Sequence, residues 1–332
     1  MILRFASVCI AVLLAPLSTL YAAPQSYQAP LVSQSLLLDI TQTGSQLVAV
    51  GERGHIILST DGNNWQQVEV PSTSTLTGVY FIDQQGWAVG HDSSILHSND
   101  GGKQWQVQNF APSLQRPLLD VLFFDPQHGI AVGAYGTFLR TQDGGKTWLS
   151  ELHAEFLPPE DQQYLNEIRL EDEVFYQQEL TSILPHLNSV SLSGDTLYLA
   201  GEAGLLAFSD DFGVHWQRMD IDYAGSFFNI AKTLSGSLVA AGLRGNLFAF
   251  NEADSNWNAI ASGSNASLNA IISLDNTTTV VLGNNGAIVT LEGDKATYRQ
   301  ADDGESMVNG LLFKQHIIAV SVGGIKHLQE VQ

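Results

Sequence analysis

The sequence predicts an all-β fold, a seven-bladed β-propeller of four-stranded antiparallel blades with one acidic helical insertion between blades three and four. Three observations predict it. A short apolar segment closing on glycine recurs seven times, a glycine turn and a second apolar run follow it, and in the first four copies a loop built on Asp, Gly and Trp comes next. Fixed-period self-similarity is the mark of repeat architectures, and a unit of about 40 residues with several short strands is the size of a propeller blade.

The glycine-closing segments read VAVG at 48–51, WAVG at 87–90, IAVG at 130–133, YLAG at 198–201, VAAG at 239–242, VVLG at 280–283 and AVSVG at 319–323. Their glycines are 39, 43, 68, 41, 41 and 40 residues apart, so one interval carries an insertion. Stretches such as GERGHIIL at 51–58 and GAYGTFL at 133–139 read as strand, glycine turn, strand, which is a hairpin pattern. A third apolar run lies upstream, as in LTGVYF at 76–81 and LLDVLF at 118–123.

The most specific feature is the loop that follows. It reads STDGNNW at 59–65, SNDGGKQW at 98–105, TQDGGKTW at 141–148 and SDDFGVHW at 209–216. Asp61, Asp100, Asp143 and Asp211 each stand ten residues past the hairpin glycine, with Trp65, Trp105, Trp148 and Trp216 behind them. Glu252 holds the aspartate place in the fifth unit, and Trp257 and Tyr298 continue the aromatic series. Asp bonds the N–H groups of its own turn, Gly takes the positive-φ position, and Trp buries a large area against a neighbour, so the loop reads as structural.

These loops are Asp-box, or BNR, repeats. Combined with the VG-x-x-G hairpins, the pattern resembles the photosystem II assembly and stability factor family over about residues 36–330, and fades in units five to seven. The resemblance implies a seven-bladed propeller without catalysis, binding a membrane-protein precursor through an arginine-rich patch. The chain is therefore expected to be an assembly or stability factor for a membrane-associated complex in the periplasm.

Seven units begin near residues 36, 75, 117, 187, 226, 267 and 306. The seventh runs out before a fourth strand fits, so residues 27–33 are expected to supply a closing N-terminal strand, since an unpaired edge invites aggregation. The insertion, residues 153–186, has Pro158 and Pro159 to open a helix and Pro185 to end it, with Tyr164, Leu165, Ile168, Phe175 and Leu180 as the apolar stripe. Nine Asp or Glu in 151–185 face Arg169 alone. Its position makes it either a cover for the channel mouth or a decoration on the side.

The first 23 residues read as a signal peptide: Arg4, an apolar run from 5 to 17, and Ala22 and Ala23 before Pro24. Cys9, in that leader, is the only cysteine, so the mature chain has no thiol chemistry or disulfide and suits the periplasm. With 34 Asp plus Glu against 14 Lys plus Arg, the net charge is −20, which repels nucleic acid and anionic lipid. The expected partner is a protein and the expected state a monomer. No cofactor is implied, and no histidine spacing suggests a metal.

The hairpin turns gather one set of candidates on one face: Arg53, His91, Tyr135, Glu202 and Arg244, with Arg116 on a connection of the same face. Guanidinium forks recognise carboxylates, so Arg53, Arg116 and Arg244 carry the partner-binding expectation. A second set, Asp39, Asp120, Asn188, Asn229, Asn269 and Asn309, begins the innermost strands and is expected to form a polar collar at the channel mouth, or merely to cap strand ends. The alternative is an Asp-box glycoside hydrolase of sialidase type. The three arginines would hold a substrate carboxylate, with Tyr135 and Glu202 as nucleophile and partner, or Asp39 and Asp120 as a carboxylate pair. No Arg-Ile-Pro segment, which usually announces a sialidase, occurs in the first unit.

Overall fold

The computed structural model describes residues 25–293 and 295–328; the leader lies outside them. Seven antiparallel sheets are present, each a simple meander in chain order. Blades one to seven span 37–68, 76–109, 118–151, 187–218, 227–260, 268–300 and 307–328. Innermost strands of consecutive blades touch all round, and that of blade seven (Met307–Phe313) closes on that of blade one (Leu37–Thr43). The second strand of each blade is buried over nearly its whole length, as Gln46–Gly51 and Gly129–Gly133 show, because it is sandwiched between both neighbouring blades. That is why the sequence shows continuous apolar runs there rather than alternation.

The two glycines of each hairpin have different steric duties. A side chain on the first, Gly51, Gly90, Gly133, Gly242 or Gly283, would collide with the backbone carbonyl just ahead of its own blade's innermost strand. The second glycine, with positive φ at Gly54, Gly204 and Gly245, lies against the carbonyls of Ser72, Tyr223 and Ser264 in the connection to the next blade. The first glycine therefore closes the blade and the second docks the following connection.

The box loops fold as expected. The Asp61 carboxylate accepts the N–H groups of Asn63 and Asn64, both at 2.8 Å, and Asp100 accepts those of Lys103 and Gln104 at 3.0 and 2.9 Å. The backbone N–H of Asn64 is the main cause that holds the Asp61 carboxyl well below the usual carboxylate range. The indole N–H of Trp65 and Trp105 donates to the carbonyls of Gly62 and Gly102. Each box tryptophan packs into the seam between its own blade and the preceding one: Trp65 against blade seven, Trp105 against blade one, Trp148 against blade two, Trp216 against blade three.

Three expectations are corrected. Residues 27–33 form no closing strand, and the seventh sheet has three strands among the described residues. The segment lays the carbonyl of Tyr27 and the N–H of Ala29 on the Gln67 side chain in blade one. It then coils into a short 3-10 turn, Val32–Gln34, whose Val32 is buried with Phe313, Ile318 and Val320 of blade seven. Gly324 lets the turn's Ser33 carbonyl press onto the last strand, so a turn plugs the closing seam where a paired strand was expected.

The insertion is two helices, α1 (Pro159–Glu171) and α2 (Glu173–Ile183). Asp172 is extended and caps α2 by accepting the N–H groups of Val174 and Phe175. This break resets the helical phase, so Tyr176 rather than Phe175 is buried, beside Leu165 and Leu180. Tyr164 and Phe175 stay exposed. These helices fill the seam of blades three and four with Phe138 and Trp216, and no insertion residue lines the channel mouth. The decoration alternative is the observed one.

The third correction concerns Tyr298. Its sequence offset matches the box aromatics, but a tight hairpin with Glu292 opposite Lys295 replaces the box in blade six, and Tyr298 is left 40% exposed. Replacing Trp105 with alanine is accordingly expected to cost about 3–5 kcal/mol, the range for emptying a buried aromatic site. Tyr298→Ala should cost less than about 1 kcal/mol, as for an exposed side chain. Urea unfolding of the two variants beside the parent measures both.

Candidate protein-interaction face and channel mouth

The hairpin turns share one backbone solution. Gly51 N–H donates to the His55 carbonyl, Glu52 N–H to Leu36 and His55 N–H to Glu52. These bonds force the third turn residue into the left-handed region, at Arg53 (φ 54°), Asp92 (60°), Tyr135 (55°), Ala203 (53°), Arg244 (57°) and Asn285 (55°). Each such non-glycine residue costs roughly 1–2 kcal/mol. Six repetitions of that strain present side chains outward: Arg53, Tyr135, Ala203, Arg244 and Asn285 are exposed, while Asp92 is half-buried because it accepts the Ser74 hydroxyl.

The structure brings some expected residues of this face together and leaves others apart. Arg116 donates to the Tyr135 carbonyl at 3.3 Å and lies 6.0 Å from its ring centre. His186 stands edge-on to Tyr135 and meets the Glu202 carboxylate at 3.4 Å. Arg116, Tyr135, His186 and Glu202 thus form one cluster across blades three and four. His186 was missed as a site residue because it ends the insertion; its signal is Pro185, whose carbonyl accepts the Gly136 N–H and pins the chain to the turn. Arg53 is 71% exposed and lies 3.9 Å from the Glu52 carboxylate; Arg244 and His91 are exposed on their own turns. Two other arginines are consumed by the fold. Arg140 pairs with Glu151 at 2.7 Å and donates to the carbonyls of Phe212 and Gly213, and Arg218 donates to those of Phe156 and Ala203.

The structure brings the six collar candidates together. Asp39, Asp120, Asn188, Asn229, Asn269 and Asn309 all line a cavity of about 470 Å³ at the channel mouth. Five of the six tie one blade to another. Asp39 accepts the Val79 N–H of blade two at 2.7 Å, and Asp120 accepts the Val190 N–H of blade four at 2.9 Å. Asn188 donates to the Phe227 carbonyl of blade five at 2.7 Å, Asn269 to the Met307 carbonyl of blade seven at 2.8 Å, and Thr77 to the Leu118 carbonyl of blade three at 2.7 Å. Asn309 donates to Asp39 itself and joins the last blade to the first.

The collar residues do not occupy one equivalent position in their strands. Every innermost strand carries a β-bulge after its first residue. In blades one, three, five and seven the polar residue is the third of the strand: Asp39, Asp120, Asn229 and Asn309. In blades two, four and six it is the second: Thr77, Asn188 and Asn269. The paired carboxylate alternative finds two perturbed acids here. Burial, then the charge of Asp120, pushes Asp39 up to about 7, and burial pushes Asp120 up to about 6. Each, however, spends both oxygens on backbone N–H groups, Asp39 on Ile40 and Val79 and Asp120 on Val121 and Val190.

The fold and this face define a repeat-built β-propeller with a ring of strained, outward turns round a latched channel mouth. The family model described as "Photosynthesis system II assembly factor YCF48" matches residues 57–117 and 108–288, and the chain belongs to that family. The photosystem II assembly protein Ycf48 of a Synechococcus strain (JA-2-3B'a(2-13)) is 43% identical over 54 residues, covering 15% of this chain and 16% of the relative. The photosystem II assembly lipoprotein Ycf48 of Trichormus variabilis is 38% identical over 55 residues, 16% of each chain. These matches span less than a fifth of the relatives' length. A solved structure described as YCF48 bound to D1 peptide superposes with a TM-score of 0.68 at 16% identity, over 92% of this chain and 97% of that one, which shows the shared fold.

Asp39 has a consequence for stability. Its carboxyl is raised to about 7 in the fold, against about 3.9 for a free aspartate. The folded state therefore holds a proton that the unfolded state has released. Stability from this group is complete below about pH 4 and is lost as pH rises through about 7. Between pH 5 and pH 8 the urea midpoint of Asp39→Asn should gain on that of the parent, since the variant has no proton to lose. Parallel pH profiles of the two proteins would remove Asp39 as the titrating group.

Proposed function

We propose that this chain is an exported, non-catalytic assembly or stability factor that holds a segment of a membrane protein on its hairpin-turn face, working in the periplasm as a monomer. One observation carries the reading. With Arg140 and Arg218 spent inside the fold, Arg53 and Arg244 are held out to solvent on strained turns and Arg116 flanks an exposed tyrosine, on a chain of net charge −20. Free guanidinium groups on an acidic protein are selective for a carboxylate-bearing segment or a chain terminus, because the surrounding acids repel anything less well matched. Family membership supports the same role, as does the D1 peptide named with the solved relative.

Charge-assisted hydrogen bonds from such arginines to the carboxylates of that segment are worth roughly 1.5–3 kcal/mol each. Loss of Arg53 and Arg244 together should therefore weaken partner recovery at least tenfold. The measurement is co-purification of envelope membrane proteins with the mature chain, parent against Arg53→Ala/Arg244→Ala, with the fold checked by circular dichroism. Equal recovery would remove this face as the binding site. The same preparations, offered chromogenic glycosides, should show no turnover; hydrolysis lost in Asp39→Asn would favour the carboxylate pair instead.

A further inference from the structure

A wide cleft lies away from the hairpin-turn face. It has a volume of about 1,120 Å³ in the seam between blades five and six, and its cause is visible in the repeat itself. In blades one to five an indole packs into the seam with the preceding blade; in blade five it is Trp257, beside Tyr198 and Phe208 of blade four. Trp257 sits opposite Phe250, eight residues past the hairpin glycine Gly242. In blade six the residue eight past Gly283 is Leu291, and opposite it stands Ala296. An alanine therefore occupies the tryptophan place, because the tight hairpin replaced the longer box loop and shifted Tyr298 two residues along the strand and out to solvent.

What remains is a slot lined by Val239, Leu291 and Ala296 together with serine, threonine and asparagine side chains. The seam one blade earlier, where Trp257 is present, keeps a cleft of about 410 Å³. The lining of the larger cleft includes two carboxylates, Glu252 and Glu292, and no lysine or arginine among the described residues. Lys232 reaches Glu252 at 3.5 Å, and Glu292 has no ion pair among the described residues. The slot is shaped by the fold for an aromatic ring and is electrically suited to a cation beside it.

We propose that this cleft is a second docking site, distinct from the hairpin-turn face, for an extended protein segment that carries an aromatic residue next to a basic one. The aromatic ring takes the place of the indole that blade six lacks, and the basic side chain meets Glu252 and Glu292. The source of the specificity is the seam: five neighbouring blades show that an indole fits this position, and a large ring buries some 150–250 Å² when it enters such a slot.

The test is titration of the mature protein with the synthetic peptide acetyl-Gly-Lys-Trp-Lys-Gly-amide, its Trp-to-Ala counterpart and tryptamine, followed by calorimetry. The tryptophan peptide should bind at least tenfold more tightly than either other probe. Ala296→Trp, which restores the box indole, should abolish binding and raise the melting temperature. Glu252→Gln/Glu292→Gln, two exposed changes that leave the fold intact, should weaken the peptide at least fivefold and make its binding insensitive to salt. Peptide binding unchanged in both variants overturns the proposal, as does no saturable binding. Tryptamine binding as tightly as the peptide also overturns it, by assigning the cleft to a small aromatic amine. Neither variant touches Arg53 or Arg244, so loss here and loss of the membrane partner are read separately.

Discussion

Closure of the ring rests on a set of hydrogen bonds between the innermost strands of adjacent blades. Sheets that pack face to face have no ladder between them, so apolar contact alone would let them slide. Polar side chains at the β-bulges of six of the seven blades supply the directional ties. Each costs little when satisfied, and about 1–3 kcal/mol when its buried partner is left unpaired. The alternation of the collar gives those ties polarity. Odd blades place a carboxylate or amide one residue past the bulge, where Asp39 and Asp120 accept N–H groups; even blades place a hydroxyl or amide on the bulge, where Thr77, Asn188 and Asn269 donate to carbonyls. Seven is odd, so two blades of the same kind must meet once. They meet where Asn309 donates to Asp39, the side-chain pair that joins the two ends of the chain.

That constraint also accounts for the two buried carboxyls of the polar channel mouth. A raised carboxyl is the physical hallmark of a general acid, and Asp39 and Asp120 both have one. Their oxygens nevertheless serve the backbone of the next blade, which is the demand the fold places on them. The rim outside the collar carries the exposed turn side chains. There the hairpin glycines fix the backbone so tightly that the third turn residue has no freedom, and its side chain is chosen by something other than the turn.

Much of the architecture was legible because the repeat writes each duty seven times. Glycines that close a blade, aspartates that bind their own turn and tryptophans that fill a seam are local requirements, and each shows as a spacing. What failed to show had a common cause. The 27–33 segment has the composition of an edge strand, but blade seven needed a plug for its apolar seam, and Val32 serves that need from a turn. Phe175 fits the helical stripe only if the insertion is continuous; Asp172 caps a second helix and rotates the face by a residue. Tyr298 keeps the sequence offset of the box while its strand pairing has moved.

The sequence by itself determined the blade count, the propeller class, the box loops and the face on which the turns gather, because these follow from interactions within one blade of about 40 residues. Only the tertiary structure decided what happens between blades: which collar residue ties to which strand, how the ring closes, where the insertion packs, and which seam stands open. Those outcomes depend on surfaces brought together from segments up to 270 residues apart, as with Asn309 and Asp39, and no spacing along the chain encodes which atoms will meet there.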